Sequence, residues 1–335
     1  MKTVEWVNGR VRMVDQTRIP EKFDYVTFSN YRQVAAAIRT MIVRGAPAIG
    51  VAAAMGVALA AKSSKTRDRS RFMEELRRAG AVLCQSRPTA WNLFWAVERM
   101  LRKAEATPGG PRQVAEELVL EAKRIALEDI EANQKIGEFG SSLIHDGDRI
   151  MTHCNTGTLA TVSYGTALAP IRTAFSQGKK VSVIATETRP RLQGARLTAF
   201  ELLKDRIPVT LIVDGAAGYV MRQGMVKLAL VGADRVTSKV VANKVGTYLI
   251  ALAARENHVP FYVAAPYSTF DLKRTEDVEI EERDHREVTH IGGWRIPPRG
   301  VSVFNPAFDI TPVSLVEGFI TERGVLKPAD LSRGL

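Results

Sequence analysis

RIMTHC at 149–154, VSVIATE at 181–187, VTLIVD at 209–214, LALVGAD at 228–234 and FYVAAP at 261–266 are short apolar runs rich in β-branched residues. Runs of this length, apolar at nearly every position, read as strands buried on both faces. Gly or Pro closes most of them, and an amphipathic or Ala-rich stretch follows each. That alternation predicts right-handed crossovers and a largely parallel sheet, so the fold class is α/β. Late runs near Val301 and Gly318 are expected to add strands. In such a sheet the ligand crevice lies beyond the carboxyl ends of the strands, so the residues that end the runs are the first place to look for chemistry.

Upstream of Asp148 the period is helical. A short extended start at Thr3 to Val14, with a turn at Asn8-Gly9, precedes a helix that Asn30 should cap and that should run to about Val43. Pro47 suits the first turn of an Ala-rich helix to Ala61, and Thr89 is placed to cap WNLFWAVERMLRKAE. Pro108-Gly109-Gly110-Pro111 punctuates the chain before a long helix from Arg112 to about Phe139, apolar at Val114, Leu118, Ile125, Ile130 and Ile136. Two domains are expected: a mainly helical one over 1–125, with a linking helix to about 140, and an α/β one over 141–335.

The 335 residues are 45% apolar and 25% charged, ordinary globular values that exclude a disordered, collagen-like or disulfide-rich chain. The uncharged run between Arg44 and Lys62 is mostly Ala and Gly, short of the ~20 strongly apolar residues a membrane span needs, and reads as a buried helix. The N-terminal residues carry early charges and no apolar h-region, and Cys84 and Cys154 suggest no disulfide framework, so a cytoplasmic location is expected. Lys plus Arg number 47 against 36 Asp plus Glu, a net charge of +11 that favours anionic partners. The densest basic stretch, Lys62 to Arg78, is broken by Asp68, Glu74 and Glu75. It lacks the interleaved aromatics of a base-stacking surface and reads as a solvated helical face rather than a nucleic-acid site.

Cys154, Glu187, Asp214 and Asp234 end the first four runs. A buried free Cys is ordinarily a small core residue, and Cys84, inside a helical stretch, fits that reading. Cys154 leads instead into Asn155-Thr156-Gly157-Thr158, expected to open a helix whose free N–H groups favour a thiolate. No metal site is expected: His153 and Cys154 are adjacent on a strand and point to opposite faces, and His285 and His290 lack further ligands at zinc spacing. No glycine-rich nucleotide motif occurs, so no cofactor is expected. Anion sites are better supported. Arg44-Gly45-Ala46-Pro47 sets an Arg and two slim residues against a helix start, and Asn243-Lys244 stands before another at Val245-Gly246-Thr247. With Arg87, Arg189, Arg191 and Gln193, these point to a small phosphorylated substrate rather than a polymer.

RGAPAIG (44–50), SRPTAWNL (86–93), THCNTGTLAT (152–161), ETRPRLQGARLTAFEL (187–202), DGAAGYVM (214–221), GADRV (232–236) and ANKVGTY (242–248) resemble the methylthioribose-1-phosphate isomerase family. That family is homologous to the regulatory subunits of translation initiation factor 2B, and the resemblance covers nearly the whole chain. It implies an N-terminal helical domain, a Rossmann-like C-terminal domain, a homodimer, and conversion of 5-methylthioribose 1-phosphate to 5-methylthioribulose 1-phosphate in methionine salvage. By matching motif it implies Cys154 and Asp234 as the catalytic pair, with Arg44, Gly45, Ala46, Arg87, Gln193, Asn243 and Lys244 holding substrate. Between Asp234 and Asn243 the family commonly carries Asn-Gly-Asp, where this chain has the shorter and more basic Arg235 to Ala242. That departure keeps ribose-1,5-bisphosphate as an alternative substrate, and a non-catalytic translation-factor subunit is the alternative of another class.

Overall fold

The computed structural model describes residues 1–272 and 278–331. The chain falls into two compact units, Met1–Lys135 with Thr156–Leu168, and Ile136–Asn155 with Ala169–Leu335.

The first unit opens with three antiparallel strands, β1 (Val4–Val7), β2 (Arg10–Val14) and β3 (Tyr25–Phe28), one more than the extended start at Thr3 to Val14 suggests. Helices α1 (Tyr31–Arg39), α2 (Ala46–Ser63), α3 (Arg69–Cys84) and α4 (Trp91–Ala106) follow, and α5 (Pro111–Ser141) runs on past Lys135, where the unit's first segment ends. Asn30 caps α1 by accepting the Gln33 N–H at 3.0 Å. The helix ends at Arg39, earlier than expected, because Met41 takes a left-handed backbone at φ 61°. Thr89 is not the cap of α4: Ala90 holds that position, and its N–H turns back to the Arg87 carbonyl at 3.1 Å. The most apolar helix, α2, is long and apolar enough to cross a bilayer, yet 78% of that stretch is buried. It is the core helix of this unit, packed among Val34, Ile38, Phe72, Leu83, Leu93 and Met100. Each such side chain contributes roughly 1.5–3 kcal/mol by leaving water. The basic stretch forms α3, capped by Asp68, with Arg71 and Arg78 reaching into solvent.

In the second unit the five quoted runs become β4 (Arg149–Thr152), β5 (Ser182–Thr186), β6 (Val209–Ile212), β7 (Leu228–Val231) and, after the short strands β8 (Arg235–Val236) and β9 (Val240–Lys244), β10 (Phe261–Ala264). Helices α6 (Leu168–Ser176), α7 (Ala199–Lys204), α8 (Ala217–Arg222) and α9 (Thr247–Glu256) alternate with them. A small hairpin follows α10 (Arg286–Thr289), made of β11 (His290–Ile291) and β12 (Trp294–Arg295). The chain then passes through β13 (Phe308–Pro312), β14 (Gly318–Thr321) and β15 (Gly324–Leu326) to α11 (Pro328–Leu331). The main sheet has the order β15-β14-β10-β7-β4-β5-β6 and is parallel except at β15. The α/β expectation therefore holds, with one exception. The run near Val301 forms no strand; the chain just past it makes only an isolated antiparallel bridge of Pro306 to Glu282, with the Asn305 carbonyl accepting the Arg283 N–H and the Ala307 N–H donating to the Glu281 carbonyl. Strands β8, β9 and β13 form a second, antiparallel sheet of order β13-β9-β8.

Within the first unit, Asp129 of α5 accepts the Val162 N–H at 2.7 Å. Burial pushes its carboxyl up to about 7, against the pull of the Val162 N–H and Asn133. In the unfolded chain an aspartate titrates near ~4, so the folded state binds a proton more tightly. Stability from this group is complete below the unfolded value and is lost as pH rises through neutrality. Asp129→Asn keeps an acceptor for Val162 and removes the titration. Relative to wild type it should gain about 2 kcal/mol between acid and mildly alkaline pH, allowing for the residue's partial exposure. Thermal unfolding across that range checks it, and a constant difference between the two proteins would remove Asp129 as the cause.

Candidate active site

The order of the main sheet sets where its chemistry can lie. From β4 the chain adds β5 and β6 on one side, then returns to place β7 on the other. The crevice at such a reversal opens beyond the carboxyl ends of the two strands that flank it, here β4 and β7. Cys154 stands two residues past β4 and Asp234 three residues past β7. The register Ile150↔Leu228 and Met151↔Ala229 brings these strand ends side by side.

Cys154 is 8% exposed and takes φ 63°, a left-handed conformation that costs a non-glycine residue about 1–3 kcal/mol unless its surroundings fix it. They do so through threonines. The Cys154 N–H donates to Thr188 Oγ1 at 2.9 Å, and Thr198 Oγ1 donates to the Cys154 carbonyl at 2.7 Å. Asn155 Nδ2 donates to Thr198 Oγ1 at 3.2 Å and to Glu201 Oε1 at 2.8 Å. The buried charge of Glu201 is matched by Arg172 at 2.8 Å. Thr188 is itself left-handed at φ 65°, and its N–H and that of Arg189 donate to the Asp214 carboxylate at 2.7 and 2.6 Å. The expected helix after Cys154 is only the single 3₁₀ turn Thr158–Ala160, too short to lend the thiol a helix dipole. Cys84 is half-buried within α3, and burial pushes its thiol up to about 11, the unreactive setting expected of it.

Asp234 is half-buried and sits at a bulge. Its N–H donates to the Ala242 carbonyl at 3.0 Å, while Arg235 faces the same Ala242 in the β8–β9 register. Two residues opposite one bend the strand and re-aim the side chain. Arg235 gives its guanidinium to Asp271. The short connection noted in the sequence is a tight hairpin, in which the Thr237 N–H reaches the Val240 carbonyl at 2.8 Å and Thr237 Oγ1 accepts the Val240 N–H at 3.0 Å. Asn243 and Lys244 thus fall on β9, in register with Asp309 and Phe308 of β13. Asn243 Nδ2 donates to Thr247 Oγ1 at 3.0 Å. The Lys244 ammonium donates to the Ala307 carbonyl at 2.5 Å and lies 4.7 Å above the Phe308 ring. Asp309 caps α9, accepting the Gly246 N–H at 2.6 Å and the Tyr248 N–H at 3.2 Å. Burial pushes its carboxyl up to about 6, against the pull of those two N–H groups and of Lys244.

Among the basic candidates after β5, Arg189 donates to the Val288 carbonyl at 2.8 Å and Arg191 pairs with Glu287 at 2.8 Å, so both guanidinium groups are engaged within the fold. Gln193 is 7% exposed, and its Oε1 has no hydrogen-bond partner among the described residues. In the helical unit, Arg44 is buried and its Nε donates to Gln16 Oε1 at 3.1 Å, while Gln16 Nε2 holds the Leu159 carbonyl at 2.7 Å. Gly45 caps α2 at φ 94°, and a Cβ there would lie 2.5 Å from the Ala160 backbone, so both conformation and space require glycine. Ala46 is buried in the first turn of α2, and Arg87 is half-buried in the turn before α4.

The pattern of the Initiation factor 2 subunit family matches residues 42–328. A protein from Thermosipho melanesiensis named methylthioribose-1-phosphate isomerase is 52% identical over 332 residues, spanning 97% of this chain and 95% of its own. The chain belongs to the initiation factor 2 subunit family and, within it, to the methylthioribose-1-phosphate isomerase family. The crystal structure of 5-methylthioribose 1-phosphate isomerase from Pyrococcus horikoshii OT3 superposes with a TM-score of 0.90 at 43% identity, covering 99% of this chain and 96% of that one. A structure described as the delta subunit of translation initiation factor eIF-2B from A. fulgidus superposes with 0.87 at 46% identity, covering 98% and 96%.

Reading the sequence of this family member missed Thr186, Thr188 and Thr198 around Cys154, because Thr186 and Thr188 at the end of β5 read as strand formers and Thr198 reads as part of a helix. A signal was present: Asn155 and Thr188 in the THCN and ETRP turns lie past the last ladder bonds of β4 and β5, where strand propensity asks nothing of them. Gly246, at φ 104°, leaves its missing Cβ 3.0 Å from the His153 ring, whereas Gly218 in α8 has ordinary room, 3.7 Å from Ala253. Gly246→Ala should therefore lower stability by about 1–3 kcal/mol, and Gly218→Ala should raise it by up to about 1 kcal/mol. Denaturant unfolding of the two variants measures the contrast; equal effects would mean that the left-handed turn at Gly246 does not constrain the residue.

Proposed function

We propose that the chain interconverts 5-methylthio-D-ribose 1-phosphate and 5-methylthio-D-ribulose 1-phosphate in methionine salvage, as an aldose–ketose isomerase. The observation that carries the reading is the placement of a strained, buried cysteine and a bulge-borne aspartate beyond the two strands that flank the sheet reversal. The names of the relatives support it. The same reading assigns substrate binding to Arg44, Gly45, Ala46, Arg87, Gln193, Asn243 and Lys244. Gln193, with its buried unpartnered oxygen, has the chemistry to meet a sugar hydroxyl. We take the protein to be a cytoplasmic homodimer without nucleic-acid or membrane partners. Exposed Leu211, Val213, Tyr219 and Leu249 of the α/β unit supply apolar surface for a second copy.

A phosphate on the anomeric oxygen locks the sugar as a ring, so no free aldehyde exists and the ring must open first. Asp234 donates a proton to the ring oxygen as the bond from that oxygen to C1 breaks, leaving an oxocarbenium at C1. In one course the Cys154 thiolate removes the C2 proton to give an enol phosphate, which is reprotonated at C1. In the other the C2 hydrogen passes to C1 as hydride. In both, the C2 hydroxyl loses its proton, Asp234 regains one, C1 is reduced and C2 is oxidised, so no external oxidant or reductant enters. The likeness to a translation-factor subunit keeps a second reading, a non-catalytic regulatory role, against which the thiol and carboxyl at one sheet reversal count. Ribose 1,5-bisphosphate is the alternative substrate, suggested by the basic Lys239 in the β8–β9 turn.

Conversion followed by NMR decides among these. Cys154→Ser and Asp234→Asn should each lower kcat by about 10²–10⁴-fold, with unfolding unchanged, and Asp234→Asn should lose one ionisation from the pH–rate profile. Substrate deuterated at C2 should keep its label at C1 if hydride moves and lose it to solvent if the thiolate takes a proton. Turnover of the bisphosphate alone would change the substrate. No turnover of either sugar by the folded protein would move the assignment to the regulatory role.

A further inference from the structure

The polar atoms behind Cys154 form a chain whose direction can be worked out hydrogen by hydrogen. The Val245 carbonyl can only accept, so the 2.9 Å contact from His153 Nε2 requires that nitrogen to carry the hydrogen. In the neutral ring Nδ1 is then an acceptor, and its 2.6 Å contact with Thr186 Oγ1 makes the Thr186 hydroxyl the donor. With that hydrogen used, Thr188 is the donor in its 3.3 Å contact with Thr186 Oγ1, a hydrogen it shares with the Thr186 carbonyl at 3.4 Å. Thr188 Oγ1 in turn accepts the Cys154 N–H at 2.9 Å. One run of donors thus passes from the Cys154 amide through Thr188, Thr186 and His153 to the Val245 carbonyl.

The surroundings keep the ring in this role. His153 is 1% exposed, and burial holds its pKa below the usual value, with Asp214 pulling upward and Lys244 pushing downward. Gly246 leaves its missing Cβ 3.0 Å from Cε1 and Nε2, so the ring is seated against the backbone of the turn that follows Lys244. Thr186 and Thr188 are fully buried, and an unmade bond at either is costly.

We propose that His153 is a positioning residue for the isomerisation: as the neutral Nε2–H tautomer it orients Thr186 and Thr188, fixes the left-handed Cys154 peptide and so the thiol, and ties it to the Val245–Gly246 turn. This rests on the isomerase reading, since it assigns the thiol a reaction. Misplacement of a reacting group by about 1 Å can cost about 10²-fold in rate, so the relay should show in kcat before KM.

The test uses the full chain with ¹⁵N-labelled histidine and site-resolved alkylation. The His153 signals, assigned by their loss in His153→Asn, should be those of the Nε2–H tautomer throughout the neutral pH range. Thr186→Val should lower kcat by about tenfold or more with KM within about threefold. It should also change the iodoacetamide rate at the Cys154 peptide by about fivefold or more, read by mass separately from Cys84. Thr186→Ser, which keeps the hydroxyl, should restore both to within about threefold of wild type. If Thr186→Val does not fold, Thr188→Val and Thr188→Ser take its place with the same expectations. An Nδ1–H ring or an imidazolium would overturn the proposal. So would a valine variant with unchanged kcat and alkylation, or a serine variant as impaired as the valine one. If the wild type turns over neither sugar, the isomerase reading fails by itself, while tautomer and alkylation still decide the relay.

Discussion

A peptide group taken out of water must find hydrogen-bond partners within the fold, and the N–H and carbonyl of Cys154 find theirs in threonine side chains. This single requirement orders much of the α/β unit. Thr188 is available to the Cys154 N–H because its own backbone is turned left-handed, and that turn is held by Asp214 at the end of β6. Thr198 reaches the Cys154 carbonyl from the π-helical turn Gly194–Thr198, a local widening of the kind that often accompanies functional sites. Three consecutive strand ends, of β4, β5 and β6, are thereby cross-linked through one cysteine backbone.

Residues whose role follows from periodicity were legible before any coordinates. The five apolar runs became strands because continuous β-branched stretches closed by Gly or Pro have few other solutions in a chain of this composition. The rule that places ligands at strand ends marked Cys154, Glu187, Asp214 and Asp234 alike, and the family resemblance singled out Cys154 and Asp234 among them. What periodicity does not encode is the pairing of one turn with another. Thr89 had the right chemistry for a cap, but the turn through Arg87 and Ala90 starts α4 a residue later. Val301 had strand propensity, but β pairing begins only after it, as an isolated bridge of Pro306 to Glu282. Arg189 and Arg191 had the charge for an anion, but Val288 and Glu287 engage them. For the two arginines a partner far along the chain outweighed a local preference, whereas at Thr89 a neighbouring turn did.

The helical unit shows the same balance at Gly45. The RGAP string read as a helix entry with an anion-binding character, and Pro47 in the first turn bears out the entry. The glycine's stronger reason is distance: the Ala160 backbone lies where a side chain would be, and Gln16 links the Leu159 carbonyl to Arg44 alongside it. Residues Thr156–Leu168, which follow Asn155, are thus packed against Gly45 and hydrogen-bonded to Asp129 within the helical unit.

Opening a phosphate-locked furanose needs an acid, and moving hydrogen from C2 to C1 needs a second group whose position and protonation can be set apart from the first. A sheet reversal supplies that independence. Cys154 belongs to the web of β4, β5 and β6, tied through Thr188 and Thr198, whereas Asp234 hangs from β7 at a bulge in the antiparallel β8–β9 pair. Their backbones are held by different neighbours, so the position of one can be set apart from that of the other. His153 is the exception, bonded to Thr186 on the cysteine side and to the Val245 carbonyl just past β9 on the other. A binding subunit would gain nothing from holding a cysteine in a strained conformation at the cost of burying the polar groups of His153, Asn155, Thr186, Thr188, Thr198 and Glu201. A catalyst that must present a thiol at one fixed point has a physical reason to do so.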